Sequence, residues 1–524
     1  MVLYSVVSTY QLLSAMIHRE NHYPREEAVL MIASTLCEKF PEYQSLKNFF
    51  ADIAVFPLMP VPEDLLTRHA NDEFFRRFFK EWNRDIRSFE KIYVGAAHYH
   101  FGVYLCSQKI PFCMFEDAAG VFSAPDVLMN TDRRLAPTRS RMARDYRLYT
   151  GENPVIVTRV GNRFAQVEGY QATNFEHQDV IESFESLPPE RQTAVRRFFV
   201  KQDLFHVPEH STVVLTQHFA NLKMLTFEGQ VTIYQYLADY FLPGRTLVIK
   251  PHPDDLLYYS SLFPDATVIN VKFPSELLPV LFDNRPAEIA TVSSTAVGSL
   301  KRYFTRCLDM TPAFERDFRM TPRYDAALRF LASLGASVPC GLGVNQEIVN
   351  GLWSVIIGAE AERPVYTLSD RTRWMVVNET EDDGYAALSA LPEDGCAVFI
   401  NQSGENGFLK TASAAGCTLT PMRLTKTFLR QNDVYTDPSP DILWVAAKTA
   451  GPLRAAEQFS WQRTLPYSGL KTEVSPMSEQ EREILALRGN VKALETRLEA
   501  MIQRNKRLEK QLTEQQQHKE GHQK

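Results

Sequence analysis

Short apolar runs alternate with helical patterns over about the first 200 residues of the chain. The predicted strands are Leu3–Val7, Ile92–Ala96, Pro111–Phe115 and Pro154–Val160, and the predicted helices are Gln11–Arg19, Arg25–Lys39 and Asp72–Ile86. A second set of strands starts near Ser211 and comprises Thr212–Leu215, Thr246–Ile249, Thr267–Ile269 and Ile289–Val292. This alternation is typical of βαβ units around mainly parallel sheets. We therefore predict two α/β domains, residues 1–205 and 206–312, with the polar stretch Glu190–Gln192 as a seam between them.

The remaining chain divides into two parts. Residues 313–465 carry strands of their own, such as Cys396–Ile400 and Asp441–Ala446, and we predict an accessory α/β domain of unassigned role. Residues 480–515 show a heptad pattern, in which spacings of three and four alternate. Its positions are Ile484, Leu487, Val491, Leu494, Leu498, Met501, Asn505, Leu508 and Leu512. The pattern predicts a parallel coiled coil that joins two copies of the chain through residues 484–512, and the alternative is a solitary amphipathic helix docked on the body.

Composition narrows the function classes. A net charge of -6 and a pI near 6.1 argue against a general nucleic-acid binder. The seven cysteines include no CxxC pair, so they predict neither a zinc site nor a disulfide framework and fit a reducing compartment. No apolar run approaches the roughly 20 residues that a membrane helix needs, and the N-terminus lacks the features of a signal peptide. These features predict a cytoplasmic protein.

The strand Thr246–Ile249 leads into Lys250 and then into His252, which lies between Pro251 and Pro253. The two prolines fix the backbone and remove donors, so the chain must leave the sheet there. Ligands of open α/β sheets bind outside the carboxyl ends of the strands. A histidine and a lysine at that place suit a phosphate-bearing leaving group. The alternative is a strand end whose histidine caps a turn.

Three further segments carry polar groups at strand ends. Glu116 and Asp117 follow a buried strand and precede Gly120, and a carboxylate there can act as a general base, although a solvated acidic turn is the alternative. Glu276 lies in the first turn of a predicted helix after Phe273-Pro274-Ser275. Its carboxylate either accepts hydrogen bonds from the hydroxyls of a ribose or simply interacts favourably with the positive end of the helix dipole. Ser293-Ser294-Thr295 follow a strand at a predicted helix N-terminus, where backbone N–H groups bind phosphate, unless a serine is simply the N-cap.

The order of these motifs, an acidic turn, His-Pro, Pro-x-Glu and Ser-Ser-Thr, resembles that of bacterial sialyltransferases of the lipooligosaccharide sialyltransferase and capsular polysialyltransferase type. The likeness is best from Val213–Gln217 through Ser293–Thr295 and extends weakly to Ser8–Leu13. It covers about the first 310 residues. Unlike the family pattern, which places glycine directly after the two acids, this chain has Ala118 and Ala119 before Gly120.

The resemblance implies a GT-B fold, in which two Rossmann-like domains face a cleft. It implies an inverting glycosyltransferase that moves sialic acid, or a related nonulosonic acid, from its CMP donor to a surface glycan acceptor, lipid-linked or polymeric, without a metal or cofactor. Glu116 or Asp117 would be the base, and His252 would stabilise or protonate the departing phosphate. The implied donor-binding residues are Lys250, Pro253, Glu276, Ser293, Ser294, Thr295, Thr216 and Gln217.

Two alternatives stay open. Kdo and polyol-phosphate transferases use CMP- or CDP-activated donors and carry similar turns; the latter would be expected to need a second histidine in the N-terminal half, where His98 and His100 are the closest-spaced pair. The second alternative is a non-catalytic scaffold of the same fold.

A run of arginines follows the acidic turn in the sequence. It would contact an anionic acceptor or the inner membrane surface peripherally, or would lie in a solvated loop. Its members are Arg133, Arg134, Arg139, Arg141, Arg144 and Arg147.

Overall fold

The computed structural model describes residues 1–466 except 202–203, 223, 226, 285, 312–319, 359, 379–380, 402–405, 431–432, 437–440 and 460. The first domain holds a seven-stranded parallel sheet. Its strands are β1 (Val2–Val6), β2 (Ala28–Ala33), β3 (Asp52–Phe56), β4 (Lys91–Val94), β5 (Phe112–Phe115), β6 (Ile156–Gly161) and β7 (Phe175–His177). Its helices are α1 (Thr9–His22), α2 (Ser34–Lys39), α3 (Arg68–Glu81), α4 (His100–Ser107), α5 (Pro125–Leu135), α6 (Pro137–Asp145), α7 (Val180–Glu185) and α8 (Pro189–Phe199).

The strand order of this sheet is β3-β2-β1-β4-β5-β6-β7, and every pairing is parallel. The order reverses between β1 and β4, as in doubly wound nucleotide-binding folds, and ligands of such folds bind beside that reversal. Both β1 and β2 are buried along their whole length, as expected for strands that helices cover on both faces. Helix α1 then begins at a capping box in which Ser8 and Gln11 satisfy each other's backbone donors.

The second domain repeats this plan on a smaller scale. Its strands are β8 (Thr212–Leu215), β9 (Leu247–Lys250), β10 (Thr267–Val268), β11 (Glu288–Thr291) and β12 (Arg306–Asp309), in the order β10-β9-β8-β11-β12. Its helices are α9 (Phe227–Tyr236), continued by a π-helical turn over Leu237–Phe241, α10 (Tyr259–Leu262) and α11 (Val297–Leu300). A 3₁₀ helix spans Ser275–Val280. All pairings are parallel, and the order reverses between β8 and β11.

The third region has a mixed sheet of seven strands. They are β13 (Cys340–Leu342), β14 (Trp374–Val377), β15 (Cys396–Phe399), β16 (Thr418–Arg430), β17 (Asp433–Thr436), β18 (Asp441–Ala447) and β19 (Trp461–Pro466). The order is β13-β14-β15-β18-β16-β17, with β19 parallel to β16. Helices span Thr321–Ser333, Gln346–Ile357, Glu381–Ala390, Asn406–Ala414 and Ala450–Gln458.

The first two domains share one hydrophobic core. A single cluster of buried side chains runs from β1 and α1 to β8, β9 and the 3₁₀ helix. Ion pairs also cross between the domains: Arg302 contacts Asp179 at 2.8 Å and Glu182 at 2.9 Å, and Lys39 contacts Asp254 at 2.8 Å. The carboxyl edges of the two parallel sheets are therefore held close together.

The predicted fold class, two Rossmann-like domains followed by a third α/β region, is confirmed over the described residues. The predicted helix Arg25–Lys39 is wrong, because Ala28–Ala33 form a strand that is buried on both faces and a continuous apolar run does not distinguish strand from helix. The stretch Glu190–Gln192, predicted as a seam between the domains, lies in α8. The predicted coiled coil, 480–515, lies outside the described residues.

Candidate active site

The acidic turn after β5 places its two carboxylates in different environments. Glu116 is buried, and three donors saturate it: the backbone N–H of Gly120 at 2.7 Å, that of Asn162 at 2.9 Å, and the side-chain amide of Gln166 at 2.6 Å. Burial raises its pKa to about 7 despite these hydrogen bonds. With its oxygens already occupied, Glu116 organises the turn and is poorly placed to receive a proton from an acceptor.

Asp117 is partly buried and has a different set of neighbours. The side-chain amide of Gln11, in the capping box of α1, donates a hydrogen bond to its Oδ1 atom. Burial raises the pKa of Asp117, and the nearby His98 opposes that shift. A carboxylate with a raised pKa is a stronger base than an exposed one. Of the two acids that the sequence left open, Asp117 therefore fits the role of general base better.

Tyr10 is a residue of this site that the sequence reasoning missed, although it lies within the weakly similar segment Ser8–Leu13. Burial raises its pKa well above 10, and four carboxylates raise it further: Glu116, Glu276, Asp179 and Asp117. Glu276 belongs to the second domain, and the other three belong to the first. The phenol therefore lies where the acidic turn and the Pro-x-Glu segment converge.

Helix α11, which begins two residues after Ser293–Thr295, lies beside the acidic turn. A Cβ atom at Gly298 would lie 3.6 Å from the carbonyl oxygen of Ala119 and 3.3 Å from the Cβ of Ala165, so little room separates the two domains here. The predicted helix N-terminus at the serines is wrong, because α11 starts only at Val297, has four residues, and has Ala296 before it without a side-chain cap. A phosphate at this place would depend on the hydroxyl groups rather than on a helix dipole.

The His-Pro turn after β9 is fixed by a buried carboxylate. Asp255 accepts hydrogen bonds from the hydroxyls of Tyr259 at 2.7 Å and Thr216 at 3.0 Å and from the amide of Gln230 at 3.1 Å. Thr216 in turn accepts from the backbone N–H of His252 at 3.2 Å. Thr216, predicted to bind donor, thus joins the ends of β8 and β9 and holds the backbone of His252.

His252 has an imidazole partner that the sequence reasoning missed. The rings of His218 and His252 stack with centroids 3.9 Å apart. The backbone N–H of Asp254 donates to Nδ1 of His252 at 3.2 Å, so the neutral ring carries its proton on Nε2. Nδ1 of His218 lies 2.7 Å from the amide oxygen of Gln217, which leaves Nε2 of His218 as an acceptor. Burial and the adjacent His218 lower the pKa of His252 well below 6.5, so the ring is a neutral N–H donor at pH 7.

Three other predicted donor-binding residues also lie in the second domain. Lys250 is buried, with its ammonium 4.5 Å from the ring centre of Phe273 and 3.3 Å from the carbonyl of Pro251. Glu276 is buried near Lys250, and burial raises its pKa to about 7. Pro253 is partly exposed beside His252.

The same turn could hold a cation. Donor atoms of His218, His252 and Asp254 lie within 4.8 Å of one another. However, the ammonium of Lys39 lies 2.8 Å from Asp254 and already neutralises that carboxylate. This arrangement fits a bound anion better than a metal ion.

The remaining candidates divide into buried and exposed groups. His98 is buried 3.7 Å from Asp132, and burial lowers its pKa; burial also lowers the pKa of His100, to about 3. The arginine run lies on α5, α6 and the turn that follows rather than in a loop. Arg139 forms a buried ion pair with Asp132 at 2.6 Å, and the other five are exposed. No helix among the described residues combines the length and apolarity needed to cross a bilayer.

Comparisons with known proteins add limited information. No family model matches the chain. An uncharacterized protein of Haemophilus influenzae (strain Rd) is 32% identical over 87 residues, which is 17% of this chain and 28% of that protein. The chain therefore matches under a third of the length of this relative.

Solved structures share a broad likeness at low identity. The glycotransferase of kitacinnamycin has a TM-score of 0.33 and 12% identity, covering 79% of this chain and 93% of that one. The UDP-GlcNAc 2-epimerase of Methanocaldococcus jannaschii has a TM-score of 0.36 and 10% identity, covering 70% and 96%. Arabidopsis thaliana UGT89C1, in complex with UDP-L-rhamnose, has a TM-score of 0.33 and 11% identity, covering 59% and 78%. Such scores do not identify a function, and the fold assignment depends on the strand orders above.

Proposed function

We propose that the protein is a GT-B glycosyltransferase that moves sialic acid, or a related nonulosonic acid, from a CMP donor to a glycan acceptor. The observation that carries the proposal is that Asp117 and Glu276, from different domains, both act electrostatically on Tyr10, and that Gly298, three residues after Thr295, lies beside Ala119 of the acidic turn. One domain thereby offers a base, and the other offers groups suited to a nucleotide.

The chemistry follows from the protonation states. The acceptor hydroxyl gives its proton to the carboxylate of Asp117, and its oxygen bonds to the anomeric carbon as the bond from that carbon to the phosphate oxygen breaks. CMP leaves on the opposite face, which inverts the anomeric centre. The Nε2–H of His252 donates to the departing phosphate, and its pKa rises as the negative charge develops beside it. Preorganised donors of this kind stabilise the transition state without a metal ion.

The donor groups have matching roles in this proposal. Glu276 accepts hydrogen bonds from the ribose hydroxyls, the hydroxyls of Ser293, Ser294 and Thr295 donate to the phosphate, and Lys250 supplies a fixed positive charge. In this proposal, the exposed arginines of α5 and α6 contact an anionic acceptor or a membrane surface, and the enzyme is a cytoplasmic one with peripheral membrane contact.

One observation favours a second candidate, a polyol-phosphate transferase. Such an enzyme would use a second histidine in the first domain, and His98 interacts electrostatically with Asp117. Its Nδ1 atom is buried without a hydrogen-bond partner among the described residues. If the protein is a polyol-phosphate transferase, His98→Asn should abolish transfer. If it is a sialyltransferase, His98 acts only through its electrostatic effect on Asp117, and the variant should keep part of its activity.

The test is calorimetric titration of the purified protein with CMP, CDP and UMP, with and without EDTA. We expect CMP to bind most tightly, EDTA to have no effect, and His252→Ala to weaken binding at least tenfold. His69→Ala is the matched control, because that side chain is 82% exposed on α3. A preference for CDP would support the polyol-phosphate candidate. A preference for UMP, or no nucleotide binding, would contradict the proposal and favour a scaffold.

A further inference from the structure

A second group of polar side chains lies in the first domain, on α1 and β7. His18 and His22 are four residues apart, which places them on one face of the helix. Glu176, in the edge strand β7, has its Oε1 atom 3.3 Å from Nε2 of His18 and 3.9 Å from Nε2 of His22. Three donor atoms from two separate elements therefore point at one place, within 4.8 Å of one another.

These separations are close to those of a coordinated ion. Tetrahedral zinc with bonds of about 2.0–2.1 Å to nitrogen and oxygen requires its ligand atoms to be about 3.4 Å apart. The distance from His18 to Glu176 already meets this requirement. His22 is about half an ångström too far, and its side chain is 50% exposed, so a small rotation can bring it into place.

The inner ligand is held in position by a further hydrogen bond. The hydroxyl of Tyr4, on β1, lies 2.9 Å from Nδ1 of His18, so Nε2 is left facing Glu176. The ring also packs edge-on against Phe115, with centroids 5.2 Å apart. Metal-binding histidines are characteristically oriented through their other ring nitrogen in this way.

The hydrogen-bond partners allow His18 to offer a lone pair to a metal ion. The tautomer with its proton on Nδ1 donates to the hydroxyl of Tyr4 and leaves Nε2 as an acceptor facing Glu176. Metal ions bind neutral imidazole and ionised carboxylate, and Nε2 of His18 and Oε1 of Glu176 are the atoms that face each other.

We propose that His18, His22 and Glu176 bind one divalent transition-metal ion of the zinc class. Two histidines and a carboxylate match the ligand set of zinc sites that keep a fourth position for water. Glu176 is 36% exposed, which leaves that position open to solvent. Unlike Asp254 in the His-Pro turn, Glu176 has no ammonium group in ion-pair contact among the described residues.

The site would connect α1 to the edge strand β7, and its existence does not depend on the transferase proposal. The test uses tag-free protein that has been stripped of metal and then dialysed against limiting ZnSO₄. We expect about one equivalent of zinc by mass spectrometry of the metal, and visible absorption typical of tetrahedral coordination when Co²⁺ replaces zinc. Thermal unfolding with and without zinc gives a second readout.

The variants are His22→Ala and Glu176→Gln, both at partly exposed side chains that folding should tolerate. Each should lower the zinc affinity at least tenfold and remove the cobalt spectrum. Two controls should retain both signals: His69→Ala, and His252→Ala, which disables the other histidine cluster. Absence of zinc from the wild-type protein would overturn the proposal. So would unchanged zinc binding in His22→Ala, or loss of zinc in His252→Ala alone.

Discussion

The two Rossmann-like domains share a strand order but differ in the polar groups that follow their strands. In the first domain, the carboxylates of Glu116, Asp117 and Asp179 come after β5 and β7. In the second domain, the stacked imidazoles of His218 and His252 come after β8 and β9, beside buried carboxylates of the same domain. Under the proposed function, the first set would receive a proton and the second would bind negative charge. The chemistry depends on which side chains follow each strand.

The largest effect that would test this division is expected at Asp117. Because loss of a general base costs about 10²–10⁴ in rate, Asp117→Asn should lower kcat about 1000-fold and leave CMP affinity within threefold. The measurement is CMP release from CMP-N-acetylneuraminic acid with a galactose-terminated oligosaccharide as acceptor. Asp126→Asn, on the same side of the domain at the start of α5, is the control. Activity within tenfold of wild type would remove Asp117 from the proposed role.

The next largest loss of activity is expected in the second domain, at His252. His252→Ala should lower kcat about 100-fold, because one preorganised donor to the leaving group is lost. His218→Ala should have a smaller effect, since His218 acts on the pKa and orientation of His252 rather than on the phosphate. In that variant the pKa of His252 should rise toward 6.5, which ¹H–¹⁵N NMR of the imidazole can follow. An unchanged titration would show that the stacked pair is not coupled.

A third prediction concerns the support of the second site rather than its chemistry. Asp255→Ala removes the carboxylate that accepts from the buried hydroxyls of Thr216 and Tyr259 and from the amide of Gln230, which keeps only the Tyr259 hydroxyl as an acceptor among the described residues. Leaving buried polar groups unsatisfied should lower the free energy of unfolding by about 2–3 kcal/mol, measured by urea denaturation. Asp254→Ala, at the exposed neighbour, should lower it by less than about 1 kcal/mol. Equal effects would contradict the role assigned to the buried turn.

The smallest effect is a pH dependence of stability. Burial raises the pKa of Glu276 to about 7 from an ordinary value of 4.5, so the folded protein holds this proton more tightly than the unfolded chain does. The stabilisation that protonated Glu276 provides is therefore complete below about pH 4.5 and is lost as pH rises to about 7. The Tm of wild type should fall between pH 5 and 8, and the Tm of Glu276→Gln should fall less over the same range. The difference in Tm between the variant and wild type should therefore change in favour of the variant as pH rises. A parallel pair of curves would show that Glu276 titrates normally.

The sequence predicted most of the framework and only part of the site. Apolar runs located eight of the twelve strands of the first two domains to within two residues, because buried parallel strands need continuous apolar side chains, and they missed β2, β3, β7 and β12. The same rule failed at Ala28–Ala33, where the run was read as part of a helix. The availability of each acid in the turn depends on the donors around Glu116. Two of these three donors come from residues 46 and 50 positions away in the chain.

Sequence patterns indicate some of the missed residues and give no sign of the others. His218 follows the strand Thr212–Leu215 by three positions, so the rule that found His252 could have found it. The spacing of His18 and His22 was also visible, but Glu176 is more than 150 residues away and only the fold brings it near. Tyr10 and Asp255 gain their roles from tertiary contacts that no local pattern indicates.

The continuous core of the first two domains has a consequence for cooperativity. Two lobes that touched only through a polar cleft could unfold one at a time, with separate transitions. Here the buried side chains of β1 and α1 belong to the same cluster as those of β8 and β9, so exposing one lobe strips apolar surface from the other. The pair should therefore melt as one unit, and amides in β1 and β9 should exchange with solvent at similar free energies. Under the proposed function, a substrate would then enter through local rearrangement of the loops rather than through a wide opening of the two lobes.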